Sequence, residues 1–248
     1  MNQVGGLLQV VNDAAALAEA AAERVVARLA APSDRPTVCL SGGGTPERLY
    51  RLLATERFRT RVPWQQVHWF WGDERFVPSD DARSNAGMAM KSLLAHVPVL
   101  LENVHRIPTD AASPQESARL YAAELRDFYR ADALDPRRPL FSVVLMGLGG
   151  DGHTASLFPG SPAVDETGRW VIGVDRPGLE PFVPRVTLTL PALASTCEML
   201  FLVSGTSKGD VVKRVLAGED LPATRAHADG ELLWLLDRDA APGDEHGA

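Results

Sequence analysis

The stretch Thr37-Val38-Cys39-Leu40-Ser41-Gly42-Gly43-Gly44-Thr45-Pro46 decides the fold class. Its first four residues are apolar or β-branched, which predicts a short buried strand. The glycines and the proline that follow predict a tight turn into a helix, with Thr45 as N-cap and Pro46 in the first helical position. Leu49, Leu52 and Leu53 continue that helix on one face. Three glycines between a strand and a helix let the backbone approach an anion closely. The free N–H groups of the helix start favour a phosphate there, and Ser41 and Thr45 add hydroxyl donors. The loop lacks the Gly-Lys-Ser/Thr ending of a Walker A motif and does not match GxGxxG.

Working outward, helical and strand patterns alternate along the chain. Upstream, Asn12 or Asp13 caps a helix with Leu17, Ala21, Val25 and Leu29 at helical spacing. Downstream, residues 67–71 read as an aromatic and β-branched strand, and Ser84 as the cap of a helix through Leu94. Ser113-Pro114-Gln115-Glu116 has capping-box spacing and opens a helix through Leu120, Leu125 and Phe128. Residues 141–146 form a continuous apolar run, as in a strand covered on both faces. Further strands are expected at 170–174, 186–190, 199–203 and 232–236, with a helix over 207–216. The pattern predicts an α/β fold of Rossmann-like type, with a mainly parallel, helix-covered sheet. Residues 1–236 are expected to form a single compact domain, with room for a small second lobe, and 237–248 a polar, frayed tail.

Composition narrows the function. Hydrophobic residues make up 45% and charged residues 23% of the 248 residues, the balance of a globular protein with a sizeable core. No long uncharged apolar run predicts a membrane span. The first residues lack a basic start and meet Asp13 and Glu19 early, against a secretory leader. Cys39 and Cys197 sit in apolar runs and read as small hydrophobes. These features predict a cytoplasmic protein. A net charge of −7 without a basic run argues against nucleic-acid binding. It leaves room for a phosphorylated ligand held by local cations and backbone amides.

In parallel sheets, ligands bind where loops leave the carboxyl ends of strands. Two more unusual loops follow predicted strands. Gly72-Asp73-Glu74-Arg75 places Asp73 and Arg75 on one side of an extended segment and Glu74 on the other. Arg75 suits a carboxylate, phosphate or developing oxyanion. By composition alone, a solvated charged turn is the better reading of this segment. Residues 147–154, Gly-Leu-Gly-Gly-Asp-Gly-His-Thr, set Asp151 and His153 two residues apart between glycines. Imidazole suits a general base near neutral pH, and Asp151 is placed to orient it or to bind substrate hydroxyls. Arg185 and Lys208, each weak alone, supply cations to complete a phosphate site with the first loop. His68 reads as structural, and His96, His105, His227 and His246 have no partner at ligand spacing. No His/Cys/Asp/Glu cluster resembles a zinc site. The five tryptophans read as core or rim.

Together the stretches LSGGGTPERLY, WGDERFVPSDDARSNAGMA, VLMGLGGDGHTASLFPGS, RVTLTLPAL and VSGTSKG resemble the 6-phosphogluconolactonase family, part of a wider group with glucosamine-6-phosphate deaminases. They occur in family order from Leu40 to Gly209. The resemblance implies hydrolysis of a phosphorylated sugar lactone, 6-phospho-glucono-1,5-lactone, without metal or organic cofactor. It implies Gly43, Gly44, Thr45, Arg185 and Lys208 at the 6-phosphate, His153 activating water or assisting ring opening, and Asp73, Arg75 and Asp151 at the sugar end. A monomer or weak homo-oligomer is expected. The deaminase pattern has a Glu five positions after the catalytic His, where this chain has Phe158, and a Tyr in place of Arg75. A non-catalytic sugar-phosphate sensor would carry a DNA-binding segment, and the Ala-rich stretch before Thr37 is too short for a convincing helix-turn-helix.

Overall fold

In a computed structural model that describes residues 5–33, 35–178 and 180–242, all strands of the larger sheet run parallel. The chain begins with β1 (Leu7–Val11), α1 (Ala14–Ala30), β2 (Thr37–Leu40), α2 (Gly44–Leu53), α3 (Glu56–Arg59) and β3 (His68–Trp71). It continues through β4 (Asp73–Arg75), α4 (Asn85–Ser92), α5 (Pro114–Tyr129), β5 (Val143–Met146), β6 (Val171–Val174) and β7 (Arg185–Leu188). It closes with α6 (Leu190–Ala194), β8 (Glu198–Val203), α7 (Gly209–Leu216), α8 (Pro222–Arg225) and β9 (Glu231–Asp237).

The larger sheet has the order β1-β9-β8-β5-β2-β3. Strands β2, β5 and β8 are buried throughout, as their unbroken apolar runs predict. The helix caps fall where side-chain chemistry puts them. The Asp13 carboxylate accepts from the N–H groups of Ala15 and Ala16, and Ser84 and Ser113 cap α4 and α5. Only half of the expected capping box forms, because the Glu116 carboxylate pairs with Arg119 instead of turning back. The apolar stripe of α1, including Leu17, Ala21, Val25 and Leu29, is fully buried against the sheet. Burial of each such leucine or valine contributes roughly 1.5–3 kcal/mol.

Two of the expected strands belong elsewhere. β6 and β7 pair antiparallel with each other and with β4, forming a separate three-stranded sheet in the order β4-β7-β6. This is the small second lobe. The weld between the two sheets is Gly72, which separates β3 from β4. Its N–H donates to Leu40 O at 3.0 Å in the parallel sheet, and its carbonyl accepts from Leu188 N at 2.8 Å in the small one.

Other boundaries shift for identifiable reasons. α2 starts at Gly44, with Gly43 at its cap, so Thr45 is not the N-cap and Pro46 is the third helical residue. Gly43 takes φ of 106°, a conformation open to glycine that threonine could not supply. β1 was not expected, and its apolar residues Leu7, Leu8 and Val10 are exposed at the sheet edge. The frayed tail does not begin at Asp237. That residue ends β9, pairs with Val11 and is 1% exposed. Residues 238–242 of the expected tail are also described, with Ala240 buried, while 243–248, including His246, lie outside the described residues, as do positions 1–4 of the expected leaderless start.

Candidate active site

The strand order reverses direction between β2 and β5. From β2 the chain moves outward to β3, then crosses to β5 and proceeds to β8. Loops diverge at such a switch point and leave a crevice above the carboxyl ends of the strands. The crevice here is an open cleft of about 270 Å³. Its wall is formed by Ser41, Gly42 and Gly43 after β2, by residues 147–150 with His153 and Ala155 after β5, and by Lys208 after β8. The small sheet contributes Asp73 and Arg75 from β4, and Asn85 comes from the start of α4.

The loop after β5 is built around His153. Its carbonyl accepts from Gly149 N at 2.8 Å, and Thr154 Oγ1 donates to Gly147 O at 2.9 Å, closing the turn on itself. The imidazole lies directly over Gly149. A Cβ at that position would stand 2.0 Å from His153 Nδ1, so only glycine leaves room for the ring. Asp151 Oδ1 accepts from His153 Nδ1 at 2.5 Å and from His153 N at 3.0 Å. With Nδ1 committed to the carboxylate, Nε2 is the nitrogen left for chemistry. The Phe158 ring packs against the imidazole, with centroids 4.8 Å apart.

The charged segment after β3 is a strand and not a solvated turn. Asp73 and Glu74 are both buried, pointing to opposite sides as extended backbone requires. Asp73 Oδ2 accepts from Ser156 Oγ at 2.6 Å, tying β4 to the His153 loop. Its backbone carbonyl and Oδ1 accept from Asn85 Nδ2 at 2.9 and 3.3 Å. Glu74 faces α4, where its carboxylate accepts from the N–H groups of Arg75, Asn85 and Ala86 and from Ser84 Oγ. Burial pushes the Glu74 carboxyl above its usual range, while the backbone N–H groups pull the other way. Glu74 thus clamps β4 onto α4 and leaves Asp73 and Arg75 facing the cleft. Arg75 is steadied by the Arg83 carbonyl, to which it donates at 2.6 Å.

Lys208 Nζ donates to Leu148 O at 2.7 Å, which joins the β8 loop to the β5 loop. Burial lowers its pKa from the ordinary lysine value, with the Asp151 charge opposing that shift. Of the residues singled out from sequence, Ser41, Gly43, Asp73, Arg75, His153 and Lys208 border the cleft. Asp151 stands behind His153. Gly44 and Thr45 occupy the first turn of α2, where backbone N–H groups have no intrahelical acceptor. Arg185 is 4% exposed, donates to Pro181 O at 2.9 Å and is the cross-strand neighbour of Arg75. Burial, followed by the charge of Arg75, lowers its pKa. Asn85 and Ser156 escaped sequence reasoning. The signal for Asn85 was its place directly after the capping Ser84, at a helix start that follows a charged strand end. Among the described residues, no group of three or more His, Cys, Asp or Glu is placed to hold a metal ion. No described helix is long and apolar enough to cross a membrane.

Comparison with known proteins extends over nearly the same span. The family model described as glucosamine-6-phosphate isomerases/6-phosphogluconolactonase matches residues 12–234. The chain is 39% identical to a 6-phosphogluconolactonase of Synechocystis over 219 residues, covering 87% of each protein. It is 39% identical to a 6-phosphogluconolactonase of Mycobacterium tuberculosis over 244 residues, covering 94% of this chain and 96% of that one. The crystal structure of 6-phosphogluconolactonase from Thermotoga maritima superposes with a TM-score of 0.81 at 28% identity, covering 94% of this chain and 99% of that one.

Proposed function

Because this chain belongs to the glucosamine-6-phosphate isomerase/6-phosphogluconolactonase family, we propose that it is a carboxylic ester hydrolase that converts 6-phospho-D-glucono-1,5-lactone to 6-phospho-D-gluconate in the oxidative pentose phosphate pathway. The observation that carries this reading is the Asp151–His153 pair at the wall of a cleft that also holds Arg75 and Lys208. An ester carbonyl is already electrophilic. It needs an activated water and a donor for the developing oxyanion.

In this reading Asp151 holds the Nδ1–H of His153, and Nε2 takes a proton from water. The hydroxide adds to C1, and Arg75 stabilises the charge on the carbonyl oxygen. The C1–O5 bond then breaks as His153 returns the proton to the ring oxygen, giving the open-chain acid. Asp73 binds the sugar end and is kept in place by Ser156 and Asn85. The phosphate lies between Lys208, Arg185, Ser41, Gly43 and the first turn of α2 at Gly44 and Thr45, with Arg185 set beside Arg75 on the neighbouring strand. The enzyme works in the cytoplasm, without metal or organic cofactor, as a monomer or weak homo-oligomer.

An aldose–ketose isomerisation with loss of ammonia needs a further group to move a proton between carbon and oxygen. At the position where the deaminase pattern carries a Glu, Phe158 packs at a tilt against His153 and offers no proton.

A coupled assay tests the proposal. Glucose-6-phosphate dehydrogenase generates the lactone, and 6-phosphogluconate dehydrogenase reports the product. The expected result is a large acceleration over spontaneous hydrolysis that survives a chelator. A folded protein that gives no acceleration overturns the reading, and release of ammonia from glucosamine 6-phosphate would replace it.

A further inference from the structure

The carboxylate of Asp237 lies apart from the cleft wall, yet it holds the start of a turn that ends there, at Lys208. It is 1% exposed at the end of β9. Oδ2 accepts from Ser204 Oγ at 2.5 Å, and Oδ1 accepts from Gly205 N at 3.0 Å and from Ala240 N at 2.9 Å. Ser204 and Gly205 are the first residues after β8. Gly205 turns the chain with φ of 97° into the 3-10 turn Thr206–Lys208, and its carbonyl accepts from Lys208 N at 3.0 Å. Lys208 then reaches across to Leu148 O in the His153 loop. A single carboxylate therefore ties down the start of the turn whose last residue is one of the cleft's cations, Lys208.

A buried carboxylate is costly unless its oxygens are met by donors, and here hydroxyl and backbone N–H groups meet them. What the arrangement supplies is direction: it fixes the exit of the chain from β8 and hence the place of Lys208 Nζ.

We infer that Asp237 is a positioning residue for the substrate phosphate, acting through Gly205 and Lys208. This rests on the proposal that Lys208 binds that phosphate. Because Asp237 contributes nothing to the reacting atoms, it governs substrate affinity and leaves turnover and its pH profile alone. Asparagine is a fair substitute. Its amide oxygen can accept from Gly205 and Ala240, while its NH2 group donates to Ser204 Oγ. Alanine leaves the Gly205 N–H without a partner.

The test combines kinetics with direct binding of inorganic phosphate, measured by calorimetry on the full chain. Asp237→Ala is expected to raise KM about tenfold, with kcat within about threefold and an unchanged kcat–pH profile. Phosphate affinity should fall by a similar factor, and Asp237→Asn should recover most of both losses. Should Asp237→Ala fail to fold, Ser204→Ala removes the Oγ contact alone and is expected to raise KM about two- to threefold. A folded Asp237→Ala, or Ser204→Ala in its stead, with unchanged KM and phosphate affinity overturns the inference. So does a loss confined to kcat, or a failure of asparagine to recover. Phosphate binding by the unmutated protein separates this inference from the lactonase reading. If phosphate binds and the variant binds it more weakly, Asp237 keeps its role even where no lactone is turned over.

Discussion

Asp151 grips His153 at two points with one oxygen, the ring Nδ1 at 2.5 Å and the backbone N at 3.0 Å. The carboxylate thus fixes both the ring's orientation and the nitrogen that carries its proton. Asp151→Asn keeps the shape but can present an N–H to Nδ1, which moves the ring proton to Nε2 and removes the base. The expected result is a loss of about 10²–10⁴ in kcat with KM nearly unchanged, and His153→Ala should lose at least as much. The coupled lactone assay checks both. Turnover near normal in either variant would remove the pair from the base role.

Gly149 offers a test of the same geometry that leaves every polar group intact. A methyl there collides with the imidazole at Nδ1. Gly149→Ala should keep a native circular-dichroism spectrum and phosphate affinity, and yet lose kcat by about 10²-fold through displacement of the ring. Wild-type kcat would show that the ring position does not matter.

Lys208 and Arg185 should separate. Lys208→Ala is expected to raise KM about tenfold or more with a small change in kcat, since it removes a cation from the cleft wall. Arg185→Ala deletes a buried side chain in β7. It should show most clearly as a loss of stability in urea unfolding, by about 1–3 kcal/mol. A stability loss in Lys208→Ala larger than that in Arg185→Ala would contradict the placement of the two residues.

His68 carries a pH dependence of stability. Its Nδ1 lies 2.9 Å from His105 Nε2, and His105 Nδ1 lies 2.7 Å from Glu124 Oε1. Burial first, then His105 and Arg35, lower the His68 pKa to about 4. Between that value and the ordinary histidine range, the unfolded chain binds a proton that the folded chain refuses. Stability is therefore fully present above the ordinary range and is lost as pH falls toward about 4. Urea unfolding at pH about 7.5, 5.5 and 4.5 should show the loss, with a shallower slope in His68→Gln. An unchanged slope in the variant would exclude His68 as the source.

Glu198, 2% exposed at the start of β8, is held by Arg24 Nε at 2.5 Å and Arg28 Nε at 2.9 Å from α1. Removing both arginines strands a buried carboxylate, at a cost of about 3–5 kcal/mol. Replacing Glu198 by Gln leaves only partly exposed cations and should cost less. Equal losses in calorimetric unfolding would show that the stranded carboxylate is not what makes the arginine variant unstable.

The parallel sheet was legible because β2, β5 and residues 199–203 of β8 are β-branched or apolar runs followed by turns that contain glycine. The Asp151–His153 pair was legible because both partners lie in one such turn. What escaped depended on contacts between distant segments. The segment Asp73-Glu74-Arg75 has no apolar alternation, and its burial comes from the α4 start and Ser156, which local pattern cannot show. β1 contributes exposed side chains at an edge, so no half-buried alternation marks it. Asp237 looked like the first residue of a polar tail because two of its donors, Ser204 and Gly205, lie more than thirty positions earlier.

Gly72, one residue shared between two ladders of hydrogen bonds, has a last consequence. Ser41, Gly43, His153 and Lys208 hang from the parallel sheet, while Asp73 and Arg75 hang from the small one. The backbone at that weld, together with the Ser156–Asp73 hydrogen bond, sets the span between the two groups. In the lactonase proposed above, the two groups act as the jaws of a caliper, and a substrate whose reach does not match their span engages only one.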